Sequence, residues 1–328
     1  LDSENLTFSV SGTSGKSGSI FNHVVNLANL SDTTEYFYRV VSADSNNNIA
    51  NSEVKSFTTT DCDAEVPTSY AKIQDALDEA ISGEKICVLA GSYEENITID
   101  GKDVVLSGAS WENTSISASY SSSTITLKNL SSSAIIEGFT ISGAGNGSYG
   151  ILVDNSSAVV RNNHIKDNSA GIRVFGKSMP DINRNVFTGN NSGGAIVHNG
   201  TGGGYTIKHN TFANNGSNGG VATILLEGPF PTTPVVIIDN IFTGGVVGVH
   251  ESIEITNFML TNNLFYNYSE TYLKKIETVY NTVSAINTLT NASKNDTGDP
   301  ALKADYRLQS NSPAIKAASD EISNIGAY

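Results

Sequence analysis

An asparagine followed two places later by an apolar or aromatic residue returns again and again from the middle of the chain onward. It reads Asn163-His164-Ile165, Asn185-Val186-Phe187, Asn210-Thr211-Phe212, Asn240-Ile241-Phe242 and Asn263-Leu264-Phe265. The intervals of 22, 25, 30 and 23 residues fall within the range of solenoid repeats. A short β-branched run precedes each asparagine, and an apolar run led by or containing glycine follows it. Examples are Gly150-Ile151-Leu152-Val153, Gly171-Ile172-Arg173-Val174, Gly194-Ala195-Ile196-Val197 and Val247-Gly248-Val249. This is the pattern of a coiled parallel sheet. Equivalent residues on successive turns of such a sheet stack about 4.8 Å apart. A corner asparagine can then bond the asparagines above and below it, and the aromatic two places on fills the interior. Asn, Gly, Ser and Asp at the corners supply turn and left-handed conformations.

Composition narrows the class. Charged residues make up 16% of the 328 residues, Gly, Ser, Thr and Asn are abundant, and helix formers are scarce. That profile suits an extracellular all-β protein. A net charge of −14 with no basic cluster argues against nucleic acid. It argues mildly against a strongly anionic polymer too, unless calcium or a local basic patch intervenes. No apolar run reaches membrane-spanning length, and the chain starts at Leu1 without a signal peptide, as a processed protein or a fragment would. Cys62 and Cys87 flank one predicted helix, and a disulfide between them is preferred over two free thiols. No Cys/His spacing suits zinc. Asn-x-Ser/Thr sequons stand at Asn5, Asn29, Asn96, Asn113, Asn129, Asn146, Asn155, Asn190, Asn199, Asn215, Asn267, Asn291 and Asn295, candidate glycosylation sites in a secreted chain.

Two regions differ in character. Residues 1–60 alternate as strands, at Leu6–Val10, His23–Leu27, Tyr36–Val41 and Val54–Phe57. Leu30-Ser31-Asp32-Thr33-Thr34-Glu35-Tyr36-Phe37-Tyr38-Arg39-Val40 and the closing Ser56-Phe57-Thr58-Thr59 resemble the later half of a fibronectin type III domain. That resemblance implies a partial sandwich lacking its first two strands, with open edges that another chain could complete. From 61 to 328 the sequence reads as one solenoid. A predicted helix over about 69–82, N-capped by Ser69, leads into Gly83-Glu84-Lys85-Ile86-Cys87-Val88-Leu89-Ala90-Gly91-Ser92-Tyr93. This segment, and the ending Asp299-Pro300-Ala301-Leu302 through Ile325-Gly326-Ala327-Tyr328, resemble secreted right-handed parallel β-helix proteins of the pectate-lyase-like superfamily. The resemblance implies an all-β fold with the helix acting as a lid on the first coil. It says little about function, because the architecture hosts lyases, hydrolases, epimerases, adhesins and passive surface proteins.

Aligning the Gly-led runs places Asp154, Phe175, His198, Glu227 and His250 in one outward column, with Arg173 on the same face. A single-residue slip in that register would invert the reading. In polysaccharide-cleaving β-helix enzymes such strips do the chemistry: a basic residue takes the proton beside a uronate, and calcium or another cation neutralises the carboxylate. The catalytic candidates are therefore Arg173, His198, Glu227, His250 and Asp154, and Tyr149, Tyr205 and Lys177 are candidates for sugar contact. His23, His164 and His209 read as solvent-facing. The stack Phe187, Phe212, Phe242 and Phe265 reads as core. Gly202-Gly203-Gly204 reads as a flexible corner, and Pro229-Phe230-Pro231-Thr232-Thr233-Pro234 as a stiff loop beside Glu227.

A solvated exterior with polar residues scattered over it explains that strip without catalysis. On this basis the chain reads first as a non-enzymatic extracellular or cell-surface protein. It would be a surface-layer, sheath, filament or adhesive subunit, partnered by copies of itself or by cell-surface proteins, and assembling through the incomplete sandwich. The alternative is a carbohydrate-active enzyme, a lyase or glycoside hydrolase acting on an extracellular polysaccharide. No resident cofactor or metal is expected in either case, calcium being the one ion the second reading could use.

Overall fold

The computed structural model describes residues 34–43, 46–58, 61–118, 122–202, 204–216, 221–228, 233–252, 257–320 and 324–327. The expected strands at Leu6–Val10 and His23–Leu27, together with Asn5, Asn29, His23 and the proline loop from Pro229 to Thr232, lie outside these residues. The chain divides into two units, 1–61 and 62–328. In the first, Glu35–Tyr38 pairs antiparallel with Lys55–Thr58, and Val41–Ala43 pairs antiparallel with Ile49–Asn51.

The second unit is a right-handed solenoid built from three long sheets of ten, nine and nine strands. Sheet 1 starts with Ala64–Val66 and Lys85–Val88 and continues through Ile135–Glu137, Val159–Arg161 and Asp181–Asn183 to Ala292–Ser293. Sheet 2 holds the strands that follow the corner asparagines, from Gly91–Glu94 through His164–Lys166 and Val186–Thr188 to Asp296–Thr297. Sheet 3 holds the apolar runs, from Ile97–Asp100 through Tyr149–Asp154, Ala170–Gly176 and Gly194–Gly200 to Thr271–Lys275, which an antiparallel strand, Thr278–Tyr280, closes.

Strand pairing puts like residues over like. Ile97, Ile125, Ile151, Ile172, Ile196, Ile224, Val249 and Leu273 form one column of sheet 3, and all are buried. On sheet 2 the rings of Phe187, Phe212, Phe242 and Phe265 stack with centroids 4.9, 4.9 and 4.7 Å apart, as the sequence led us to expect. Period-two alternation makes one face of each strand apolar, so the three inner faces share a single core.

The asparagine ladder is fully hydrogen-bonded and longer than the repeat suggested. Asn163 donates to Asn185 Oδ1, Asn185 to Asn210, Asn210 to Asn240, Asn240 to Asn263, Asn263 to Asn295, and Asn295 to Asn287. Each of the first six also donates to a backbone carbonyl of the neighbouring coil, as Asn185 does to Val160 O at 2.8 Å. A second ladder, Asn168, Asn190 and Asn215, runs up the next corner. The residue before each of the six ladder asparagines from Asn163 to Asn295 is left-handed, and at Arg184, His209 and Lys294 it is a residue that composition would not nominate. Asn190, Asn215 and Asn295 are buried in these ladders with their amide nitrogens already bonded, so their sequons serve packing and leave no room for a glycan.

The helix is shorter than expected, spanning Ile73–Glu79, and Ser69 does not cap it. Its N-terminal N–H groups are met from another coil. Ile73 N and Gln74 N donate to the two Glu95 oxygens at 3.0 and 3.1 Å, placing a carboxylate at the positive end of the helix. Ile73, Ala76 and Leu77 enter the same buried cluster as Ile97 and Ile99. Cys62 and Cys87 form a disulfide that joins the start of this unit to the strand Lys85–Val88.

Residues 299–320 and 324–327 run back over the outer face of sheet 2. Ala314, Ala318 and Ile325 pack on Ile241 and Leu264, Ser319 Oγ donates to Asp239 at 2.6 Å, and Arg307 reaches Glu112 at 2.7 Å. Ile241 and Leu264, outward on that sheet, are thereby covered.

Candidate functional site

On sheet 3 the register assigns every outward residue. One outer column is Thr98, Thr126, Leu152, Arg173, Val197, Leu225, His250 and Lys274. The next is Asp100, Lys128, Asp154, Phe175, Asn199 and Glu227. Asp154, Glu227 and Arg173 therefore share a face, as expected, and Phe175 stands between Asp154 and Asn199.

Two of the five catalytic candidates move. Gly171 aligns with Ala195, not with Gly194, because Ile172 pairs with Ile196. The one-residue shift turns His198 inward, into the column of Val174 and Leu226. There it is fully buried, with Nδ1 2.9 Å from Tyr205 Oη and Nε2 3.2 Å from Gly200 O. Burial lowers its pKa to about 4, so the ring is neutral and structural at neutral pH. His250 pairs with Leu225 and so stays outward, but in the column of Arg173. Its pKa is also lowered, by burial first and then by Lys274.

Tyr205 is core and not a sugar platform: it is 2% exposed and its ring stacks on His198. Lys177 is exposed beyond the end of the strand Ala170–Gly176, where its backbone N–H donates to Asn155 Oδ1 at 3.0 Å. His164, expected to face solvent, is buried between Trp111 and Tyr306 with Nε2 2.8 Å from Thr188 Oγ1. Burial, reinforced by Lys166, holds its pKa at about 4.

The arrangement that the register assembles is Tyr149, Arg173 and Phe175. The Arg173 guanidinium carbon lies 5.2 Å from the Tyr149 ring centroid and 5.4 Å from that of Phe175. Arg173 Nη1 also donates to Tyr149 Oη. Cation–π contact on two rings and a hydrogen bond fix the guanidinium in one place. Phe175 is 43% exposed, although it lies in a strand. Around this trio, Asp154 accepts from Asn155 Nδ2 at 2.9 Å, and Glu227 accepts from Asn199 Nδ2 at 3.3 Å. Sequence reasoning had Arg173 and Tyr149 but missed Phe175 as a site residue. The signal was an aromatic in an outward column otherwise filled with Asp, Lys, Asn and Glu.

Among the described residues, the one grouping with the ligand types for a metal is Asp61, Cys62 and Cys87, and its two sulfurs are joined in the disulfide. No helix of the described residues is long and apolar enough to cross a membrane.

A family model described as a right handed beta helix region matches residues 39–212, more than half of the chain. The chain belongs to the right-handed β-helix family. Among curated proteins none matches it. Solved structures that resemble this β-helix protein include a pectin methylesterase in complex with a hexasaccharide. That likeness has 11% identity and a TM-score of 0.45, covering 81% of this chain and 97% of that one. The pectin methylesterase PemA from Erwinia chrysanthemi gives 13%, 0.45, 81% and 97%. The catalytic unit of a GH87 α-1,3-glucanase from Streptomyces thermodiastaticus gives 14% and a TM-score of 0.33, covering 62% of this chain and 51% of that one. Likeness at this level carries no argument about activity, which has to come from the residues of this chain.

Proposed function

We propose that this β-helix protein is an extracellular carbohydrate-active protein that takes a uronate-containing polysaccharide along the outer face of sheet 3, with Arg173 receiving a sugar carboxylate. The observation that carries the reading is the guanidinium fixed between the Tyr149 and Phe175 rings. A planar, pre-oriented N–H fork matches a carboxylate better than a mobile lysine does. The exposed Phe175 ring beside it offers an apolar surface to the C–H face of a sugar. Lys128 and Lys177 add local positive charge to a chain of net charge −14. The Cys62–Cys87 disulfide fits an oxidising compartment.

Geometry favours elimination over hydrolysis. In their shared column Asp154 and Glu227 are separated by Phe175 and Asn199, three coil steps, hence roughly 14 Å at about 4.8 Å per step. Paired glycosidase carboxylates stand about 5–9.5 Å apart. In elimination, Arg173 on the uronate carboxylate would acidify the neighbouring C–H, a separate basic group would take that proton, and the C–O bond to the leaving sugar would break as the double bond forms. The experiment is incubation with a panel of uronic and neutral polysaccharides, following absorbance of unsaturated product alongside reducing ends. Unsaturated product from uronate polymers alone, lost in Arg173→Ala, is expected. Reducing ends from a neutral polymer, unaffected by that substitution, would overturn the reading.

A filament or sheath subunit assembling through the N-terminal sandwich would depend on residues 1–60, of which 1–33 lie outside the described residues. No described feature favours it over the carbohydrate reading.

A further inference from the structure

A cleft lies on a different side of the solenoid, at the corner between sheets 1 and 2. Its volume is about 330 Å³, and its walls include Trp111, Glu112, Glu137, Asn162 and Arg307. Its origin is local. Later corners take two residues, as at Asn162-Asn163 or Arg184-Asn185, and the ladder closes them. In the coil carrying Val105–Gly108 and Thr114–Ser117 the corner runs from Ala109 to Asn113, and Thr114 stands level with Phe139, below the first ladder asparagine. The longer turn lifts Trp111 and Glu112 away from the sheet, and the cleft opens between that turn and the strand Ile135–Glu137. Gly138 takes φ +81° there, and a Cβ on Gly108 would lie 2.4 Å from Gly138 O, so the floor is bare backbone.

The walls are rigid. The Trp111 ring meets the buried His164 ring edge-on at 5.1 Å, and Trp111 O accepts from Thr140 Oγ1 at 2.6 Å. Glu137 is held by Arg161 Nε at 2.7 Å, with Ser107 Oγ 3.5 Å away. Glu112 is held by Arg307 Nη2 at 2.7 Å, and Arg307 Nη1 is held in turn by Asp305 at 2.9 Å. The C-terminal segment thus completes the cleft. An ionised carboxylate has about four acceptor sites; Glu112 uses them on Arg307, Ser110 and its own backbone N–H, and Glu137 on Arg161 and Ser107, which leaves about one or two on each for a hydroxyl group.

We infer that this cleft is a second binding site, for one or two rings of a neutral sugar. An indole wall for the C–H face of a pyranose, two fixed carboxylates as acceptors for vicinal hydroxyls and a guanidinium donor together match a polyhydroxylated, uncharged ring. Glu112, Glu137 and Asp305 outnumber Arg161 and Arg307 around this cleft and so disfavour a uronate, whereas Arg173 on sheet 3 selects for one. The two sites therefore differ in ligand charge and in face, and neither depends on the other.

Trp111 is the single tryptophan of the chain, so its fluorescence reports on this cleft alone. The full chain is titrated with the methyl glycosides of glucose, galactose, mannose and xylose, their disaccharides, and oligogalacturonate, each up to about 20 mM, well past a weak Kd of about 1 mM. A saturable change with at least one neutral sugar is expected. It should weaken at least tenfold in Glu112→Gln, and also in Ala109→Tyr, which fills the exposed mouth without touching either ion pair. Arg173→Ala should leave it unaltered, which separates this site from the sheet 3 face. No saturable change with any neutral sugar, a response to oligogalacturonate alone, or equal affinity in both cleft variants would overturn the inference.

Discussion

Asn185 Nδ2 donates to Asn210 Oδ1 at 3.1 Å, and the same oxygen accepts the Asn185 backbone N–H at 3.0 Å. Asn210 Nδ2 then reaches Ile182 O, Lys208 O and Asn240 Oδ1. One side chain satisfies groups on three coils, and every coil of the ladder repeats the device. Asn210→Ala leaves several buried donors and acceptors without partners, at roughly 1–3 kcal/mol each before relaxation. A loss of about 3 kcal/mol or more is expected in denaturant unfolding, while removal of an exposed asparagine such as Asn146 should cost little. Equal losses at the two positions would show that the ladder contributes nothing specific.

The phenylalanine stack makes a separate packing claim. Phe212 lies between Phe187 and Phe242 with centroids 4.9 Å away on each side and is fully buried. Phe212→Ala should cost about 3–5 kcal/mol, and Phe212→Leu clearly less, since leucine refills much of the space. Thermal unfolding of the two variants measures the difference.

Acid should weaken the fold through two histidines. His164 and His198 are held near pKa 4, principally by burial, whereas in the unfolded chain each titrates near about 6.5. Their contribution is complete above the unfolded value. Between about pH 6.5 and 4 the unfolded state binds more protons, so stability falls as pH falls, and below about 4 the loss levels off. Melting temperatures followed across that window should drop. His198→Gln should flatten the slope, and a slope identical to that of the wild type would contradict this assignment.

Glu95 caps a helix that lies in a different coil. Glu95→Ala removes both carboxylate contacts to Ile73 N and Gln74 N. It should cost on the order of 1 kcal/mol, as helix caps do. Leu77→Ala, from the buried face of the same helix, should cost about 2–5 kcal/mol. If the helix closes the first coil, both losses should also raise hydrogen exchange at Ile97 and Ile99 beneath it.

Much of the solenoid was legible because its spacing is chemical. The Asn163 to Asn263 column and the phenylalanines two places on repeat in plain view. The second ladder was equally readable, since Asn168, Asn190 and Asn215 each follow a ladder asparagine by five residues. The outer face was less so. Glycine is a poor anchor for register, because Gly171 and Gly194 look equivalent yet sit one position apart, and that single step carried His198 from the surface into the core. The cleft around Trp111 was invisible for another reason: it joins residues near 110 to Arg307 through a C-terminal segment whose path no local pattern encodes.

The central functional claim is that Arg173 receives a sugar carboxylate. Calorimetric titration of the wild type and of Arg173→Gln with oligogalacturonate at low and high salt tests it most directly. A charge-assisted, bidentate contact contributes about 1.5–3 kcal/mol, so affinity should fall roughly tenfold to a hundredfold in the variant. The wild-type affinity should also weaken with added salt. Equal affinity of the two proteins for oligogalacturonate, or no binding by either, would contradict the account.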